Sequence, residues 1–130
     1  MSEQDVATIR SAYDNFNQGN IPDVLAAYDE QIEWTEPGGG NAPAGTFTGT
    51  DAVAQDVFAK VPETFDDFSV DIDEVEDQGD TVVVKGRFKG KSKSGADLDA
   101  SFEHTNEMKD GKVARFENKV DAEAWAAAWS

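Results

Sequence analysis

DLDASFEHTNEMK, residues 97–109, and VARFENKV, residues 113–120, decide the fold of this chain. In an extended chain, alternate side chains point to opposite faces. The first stretch then puts Leu98, Ala100, Phe102, His104, Asn106 and Met108 on one face. Asp97, Asp99, Ser101, Glu103, Thr105, Glu107 and Lys109 take the other. The apolar face is the core face, so His104 and Asn106 point inward. The second stretch divides into Ala114, Phe116, Asn118 and Val120 against Val113, Arg115, Glu117 and Lys119. Asn118 therefore points inward too.

The intervening turn relates the two strands. A two-residue loop at Asp110-Gly111 sets His104 opposite Glu117 and mixes core with charged faces, because a one-residue slip flips every side chain. A three-residue loop, Asp110-Gly111-Lys112, sets Met108 opposite Ala114, Asn106 opposite Phe116 and His104 opposite Asn118. The spacing predicts the latter, with Gly111 supplying positive φ. Opposed residues have Cβ atoms ~4.5–5.5 Å apart. A buried amide or imidazole without a partner costs roughly 1–3 kcal/mol. So His104, Asn106 and Asn118 either satisfy one another or line a cavity.

Outward from this hairpin, Phe68, Val70 and Ile72 alternate with polar residues up to a turn at Gln78-Gly79-Asp80. Thr81 to Lys93 is a long strand, turned at Ser94-Gly95. Its outer face carries Lys85, Arg87, Lys89, Lys91 and Lys93, with Asp97, Asp99 and Glu103 on the next strand to pair with them. At the N-terminal end, Val6, Ile9, Tyr13 and Phe16 follow a helical period, and Gly19 stops the helix. Asn20 and Pro22 open a second helix carrying Ile21, Val24, Leu25 and Tyr28. Gln31 to Glu36 reads as a short strand with Ile32 and Trp34 on one face. Pro37 to Gly49 is dense in glycine and proline and reads as a long loop, a candidate lid, with Phe47 its one large apolar residue. A third helix starts at Thr50 or Asp51 and buries Val53, Val57, Phe58 and Val61. Asp121 caps a tail helix with Trp125 and Trp129 one turn apart. Helices first and an antiparallel meander after predict an α+β fold with helices on one sheet face.

The 130 residues suit a single domain, residues 1–130. Cysteine is absent, which excludes disulfides, thiol catalysis and thiolate zinc sites. Lys+Arg total 11 against 27 Asp+Glu, a net charge of −16. Such a field repels phosphate backbones and anionic lipid, so nucleic acid and membrane are poor partners. Acidity spread along the whole chain fits a halophilic source, and an acidic mesophile protein equally. Without an apolar run of ~20 residues or a signal-peptide order, a cytoplasmic location is the expectation. One histidine among outward carboxylates makes no metal site, and Pro37 to Gly49 lacks the lysine and spacing of a nucleotide loop. No cofactor is expected.

The strings AYDNFNQGNIPDVLAAYDEQIEWTEP, GTFTG and KDGKVARFENKVD, which span the chain nearly end to end, resemble the SnoaL-like family. That family lies within the nuclear transport factor 2-like superfamily, which also holds ketosteroid isomerases. The resemblance implies a conical, cystatin-like α+β roll around a mostly apolar pocket, commonly dimeric through the outer sheet face. Activities in the superfamily include polyketide aldol cyclisation, ketosteroid isomerisation and epoxide hydrolysis, so fold alone does not give function. It also implies a catalytic aspartate on the last strand near a histidine on the strand before. His104 matches that histidine, but Asn118 stands at the aspartate position and cannot accept a proton.

Three readings follow. In the first, the chain is an isomerase- or cyclase-type enzyme acting on a small apolar carbonyl compound. His104 is the acid or base, and Asn118 and Asn106 hold an oxygen. Trp34, Phe47, Phe58 and Phe102 wall the pocket, and Tyr13 and Tyr28 are hydroxyl donors. In the second, the same pocket binds a ligand without chemistry. In the third, the chain is a dimeric interaction module.

Overall fold

The computed structural model describes residues 2–129. Helix α1 (Ser2–Asn17) and the short α2 (Ile21–Leu25) precede strand β1 (Tyr28–Pro37). Strand β2 (Ala44–Thr48) follows, then α3 (Thr50–Val53), a π-helical turn at Ala54–Phe58 and α4 (Lys60–Thr64). Strands β3 (Phe65–Asp77), β4 (Thr81–Ser92), β5 (Asp97–Lys109) and β6 (Lys112–Val120) lead to α5 (Ala122–Ala128). One six-stranded sheet has the order β2-β1-β6-β5-β4-β3. The α+β fold expected from the sequence is present.

Four differences from the sequence expectation have local causes. The β5–β6 turn is the two-residue Asp110-Gly111 loop, since Lys109 faces Lys112. Both turn residues have positive φ, 52° and 79°, which matches the twist of flanking strands. A bulge between Glu107 and Met108 on the register then absorbs one residue, so Met108 faces Val113 rather than Ala114. Val113 is buried in consequence, and His104 still faces Asn118.

Part of the expected long loop is strand β2, which pairs antiparallel with β1 and sets Phe47 opposite Trp34. Tyr28 opens β1 rather than ending a helix. The sheet is not wholly antiparallel either: β1 runs parallel to β6, with Trp34 facing Phe116. That pair joins the two halves of the chain.

Two devices roll the sheet around α1. The Asn17 side chain clamps β3, donating to Val70 O and accepting from Val70 N, both at 2.9 Å. In β4, Gly86 and Gly90 allow the backbone of the paired strand β3 to come unusually close. A Cβ at either glycine would stand 2.0 Å from a backbone oxygen, of Asp71 or Asp67 respectively. The buried core, including Ile9, Val24, Ile32, Val53, Val84 and Phe116, lies between sheet and helices.

Asp121 caps α5 by accepting from Ala124 N. The loop after β1 straps across that helix: Asn41 N donates to Trp129 O at 3.0 Å. Gly40, at φ 57°, leaves no space for a side chain there, since a Cβ would lie 2.7 Å from Ala126 O.

The outer face is solvated and charged. Arg87 pairs with Asp99 as expected, but Lys85 pairs with Glu74 and Glu76, and Lys89 with Asp71, all on β3. These exposed pairs contribute little to stability. Among the described residues no helix is long and apolar enough to cross a membrane.

Candidate functional site

Between α1 and the inner sheet lies a cavity of about 80 Å³, measured as room for the centres of water molecules. One water-sized sphere needs roughly 10–15 Å³ by that measure. The cavity therefore takes several such spheres, about the bulk of a small ring compound. Its wall is largely apolar, with Phe16, Val57, Phe58, Phe88 and Phe116 among the lining residues.

Five polar side chains form one connected chain on this wall. Tyr13 Oη lies 2.6 Å from His104 Nδ1, and His104 Nε2 lies 2.9 Å from Asn118 Oδ1. Asn118 Nδ2 donates to Glu36 Oε1 at 3.0 Å. Trp34 Nε1 donates to Glu36 Oε2 at 2.6 Å. The direction of each bond follows. Because the Asn118 amide gives its N–H to Glu36, its oxygen faces His104, and the imidazole proton sits on Nε2. Nδ1 is then an acceptor, and Tyr13 donates to it. Every donor in the chain points toward the carboxylate.

Glu36 is the residue that the sequence reading leaves out. It is only 7% exposed, and no ion pair among the described residues reaches it. Burial pushes its carboxyl up to about 7, against the pull of the bonds from Asn118 and Trp34. The signal was present in the strand period: Ile32, Trp34 and Glu36 occupy alternate positions and all three are buried.

His104 is 4% exposed, and burial pulls its imidazole down to about 3, with the Asn118 contact opposing weakly. At neutral pH it is uncharged and both ring nitrogens are engaged. It therefore departs from the sequence expectation of a group that gains or loses a proton near pH 7. Phe102 stacks on the imidazole, centroids 3.9 Å apart and planes 14° apart. Burial also raises the Tyr13 and Tyr28 phenols, the latter helped by the charge of Glu36, so both stay protonated.

Of the expected site residues, Tyr13, Tyr28, Trp34, Phe58, His104, Asn106 and Asn118 line the cavity. Asn106 donates to Val82 O at 3.3 Å. Phe47 and Phe102 do not line it. Phe47 sits on the edge strand β2, and Phe102 packs against the His104 ring. Among the described residues no cluster of three metal-ligating side chains occurs.

The SnoaL-like domain matches residues 9–116. No curated protein matches the chain. An NTF2-like protein of unknown function from Burkholderia pseudomallei K96243 is 28% identical, covers 92% of each chain and superposes with a TM-score of 0.84. TerC, co-crystallised with polyporic acid, is also 28% identical, over 98% of this chain and 99% of its own, with a TM-score of 0.87. A Xanthomonas campestris protein with a cystatin-like fold is 20% identical over 97% and 98%, TM-score 0.87, which shows shared fold alone. With the domain match spanning most of the residues that build the roll and its cavity, the chain belongs to the SnoaL-like family of NTF2-like proteins.

Proposed function

We propose that this chain binds a small, largely apolar carbonyl compound in the cavity and moves a proton on it, with Glu36 as the base. One observation carries the reading: a buried carboxylate with no cation beside it lines a largely apolar cavity at the end of a chain of neutral hydrogen-bonding side chains. Burying a charge this way is costly and marks functional sites. A base poised near 7 is matched to neutral-pH proton transfer.

In the proposed step, the Glu36 carboxylate takes a proton from the carbon beside the carbonyl. The C–H electron pair becomes the enolate C=C bond, and the carbonyl π pair moves to oxygen. The Tyr28 hydroxyl, close enough to feel the charge of Glu36, donates to that oxygen. His104 acts as a positioning residue. Its Nε2–H fixes the Asn118 amide so that Nδ2 aims the carboxylate. This replaces His104 with Glu36 as the acid/base and keeps His104 in the same hydrogen-bonded chain.

Binding without chemistry is the second reading, favoured by Asn118 at the position where the family resemblance implies an aspartate. The co-crystallisation of TerC with polyporic acid is consistent with either. Deuterium exchange separates them. Cyclohexanone in D2O, followed by NMR, should exchange its α-protons faster with the protein than without, along a pH profile rising with a midpoint near 7. Glu36→Gln should lower the protein-dependent rate by about 100-fold or more. Binding with no acceleration would leave the second reading standing.

A further inference from the structure

Three links of the chain from Tyr13 to Glu36 can carry a hydrogen bond in either direction. A hydroxyl donates or accepts, a neutral imidazole has two tautomers, and a primary amide reverses by a half-turn. Tyr13, His104 and Asn118 supply one of each, in series, with contacts of 2.6, 2.9 and 3.0 Å running to Glu36. A half-turn of the Asn118 amide exchanges two groups of nearly equal size, so it disturbs the packing little. The one-way member is Trp34, whose indole donates and cannot accept. It holds the other carboxylate oxygen, Oε2, at 2.6 Å.

The direction of the series is therefore set at Glu36. With the carboxylate ionised, Oε1 accepts from Asn118. A protonated carboxyl needs an acceptor for its new O–H, and Trp34 offers none at Oε2. The proton is held on Oε1 once Asn118 turns its oxygen that way. The amide Nδ2 then faces His104 and donates to Nε2. The imidazole gives up its proton at Nε2 and takes one at Nδ1, with water as carrier, and Nδ1–H donates to Tyr13 Oη. The net gain is the single proton on Glu36, taken from substrate or solvent. Every bond in the series survives with its direction reversed.

We propose that Tyr13, His104 and Asn118 form a reversible relay whose direction follows the proton on Glu36, with the His104 ring proton on Nε2 beside the carboxylate and on Nδ1 beside the acid. It rests on the proposed function only in taking Glu36 as the group whose proton comes and goes. It adds a role for Tyr13, whose hydroxyl holds Nδ1 in both states, with the Asn106 amide beside it. Among the described residues, the titratable groups lining the cavity are Tyr13 from α1, Tyr28 and Glu36 from β1, and His104 from β5. The other lining elements present none. Burial keeps both phenols protonated and the imidazole uncharged, so Glu36 alone among them titrates near neutrality.

The test is 15N NMR of the His104 ring, unambiguous because the chain has 1 histidine. Spectra are taken at about pH 5 and about pH 9, either side of a carboxyl raised to about 7. The pyrrole-like and pyridine-like nitrogens should exchange places between the two, with a midpoint that matches the Glu36 carboxyl 13C titration. Glu36→Gln should hold the acid-like direction at both pH values. Its amide oxygen takes the Trp34 N–H, which leaves its NH2 to donate to Asn118. A variant with its ring proton on Nε2 throughout would overturn the relay. So would a wild-type carboxyl that titrates while the ring keeps one tautomer, a result that leaves the proposed base intact. A ring with both nitrogens pyrrole-like at the lower pH is an imidazolium and overturns the relay as well. A carboxyl that does not titrate in this range would overturn relay and proposed base together. The wild-type spectra decide the matter even should the variant fail to fold.

Discussion

Replacing Glu36 with Gln should give a chain whose stability climbs with pH between about 4.5 and 6.5, relative to the unsubstituted chain, by about 3 kcal/mol over that span. The loss of the Glu36 carboxyl produces this difference, and a second buried group with the opposite shift sets the slope that remains. The Glu36 carboxyl is raised from 4.5 to about 7, so its contribution is full below 4.5 and is lost as pH rises toward 7. The His104 imidazole is lowered from 6.5 to about 3, so its contribution is full above 6.5 and is lost as pH falls toward 3. Where the windows overlap, each group changes stability by about 1.4 kcal/mol per pH unit, with opposite sign. They cancel in the native chain. Gln removes the carboxyl slope and leaves that of the imidazole. Urea unfolding of both chains at pH 4.5, 5.5 and 6.5 measures it, and the many surface carboxylates subtract out because both chains share them. Parallel pH profiles would contradict the raised Glu36 carboxyl, since the imidazole slope is common to both chains.

The second large effect lies far from the carboxylate, in the backbone. Gly86→Ala should cost about 3 kcal/mol or more, at the upper end of overpacking penalties. The added Cβ would stand 2.0 Å from Asp71 O and 2.9 Å from the Phe102 ring tip. The phenyl ring can give way, but the carbonyl cannot, because β3 is paired with β4 on both sides of it. Relief requires β3 to separate from β4 at this point, which disturbs their pairing and loosens the Asn17 clamp on Val70. Gly95→Ala serves as the control: it also replaces a glycine, at a turn with no atom near the new Cβ, so only its positive φ of 95° is strained. Denaturant unfolding of the two variants compares a steric clash with a local backbone strain. A Gly86 variant as stable as the Gly95 variant would mean that the β3 backbone does not approach β4 so closely.

Alternation alone made His104, Asn106 and Asn118 legible as inward residues, since one apolar face runs through β5 and β6. It also gave the right opposition of His104 and Asn118 by way of the wrong loop. Keeping core with core forces that pairing, whether the extra residue sits in the turn or in a bulge. Glu36 escaped because a charged residue at a strand end reads as surface. Its hydrogen-bond partner Asn118 lies 82 positions away, beyond any local pattern. Strand β2 was illegible for a related reason: a glycine-rich edge becomes a strand only when β1 offers it a ladder. Phe102 shows the limit of face assignment. It is buried as expected, yet it packs against His104 and does not line the cavity, a distinction that no period reports.

The 3.0 Å contact between Asn118 and Glu36 also bears on how such a pocket changes over generations. Two carboxylates at that separation would have to share one proton, because like charges so close cannot both ionise. An acid at position 118 and an acid at position 36 are therefore alternatives, each comfortable only with an amide or another donor at its neighbour. A lineage that moves its carboxylate from the last strand to the first must pass through a doubly acidic or an acid-free intermediate. Positions 36 and 118 are thus expected to change as a pair among related sequences, carboxylate on one side and amide on the other.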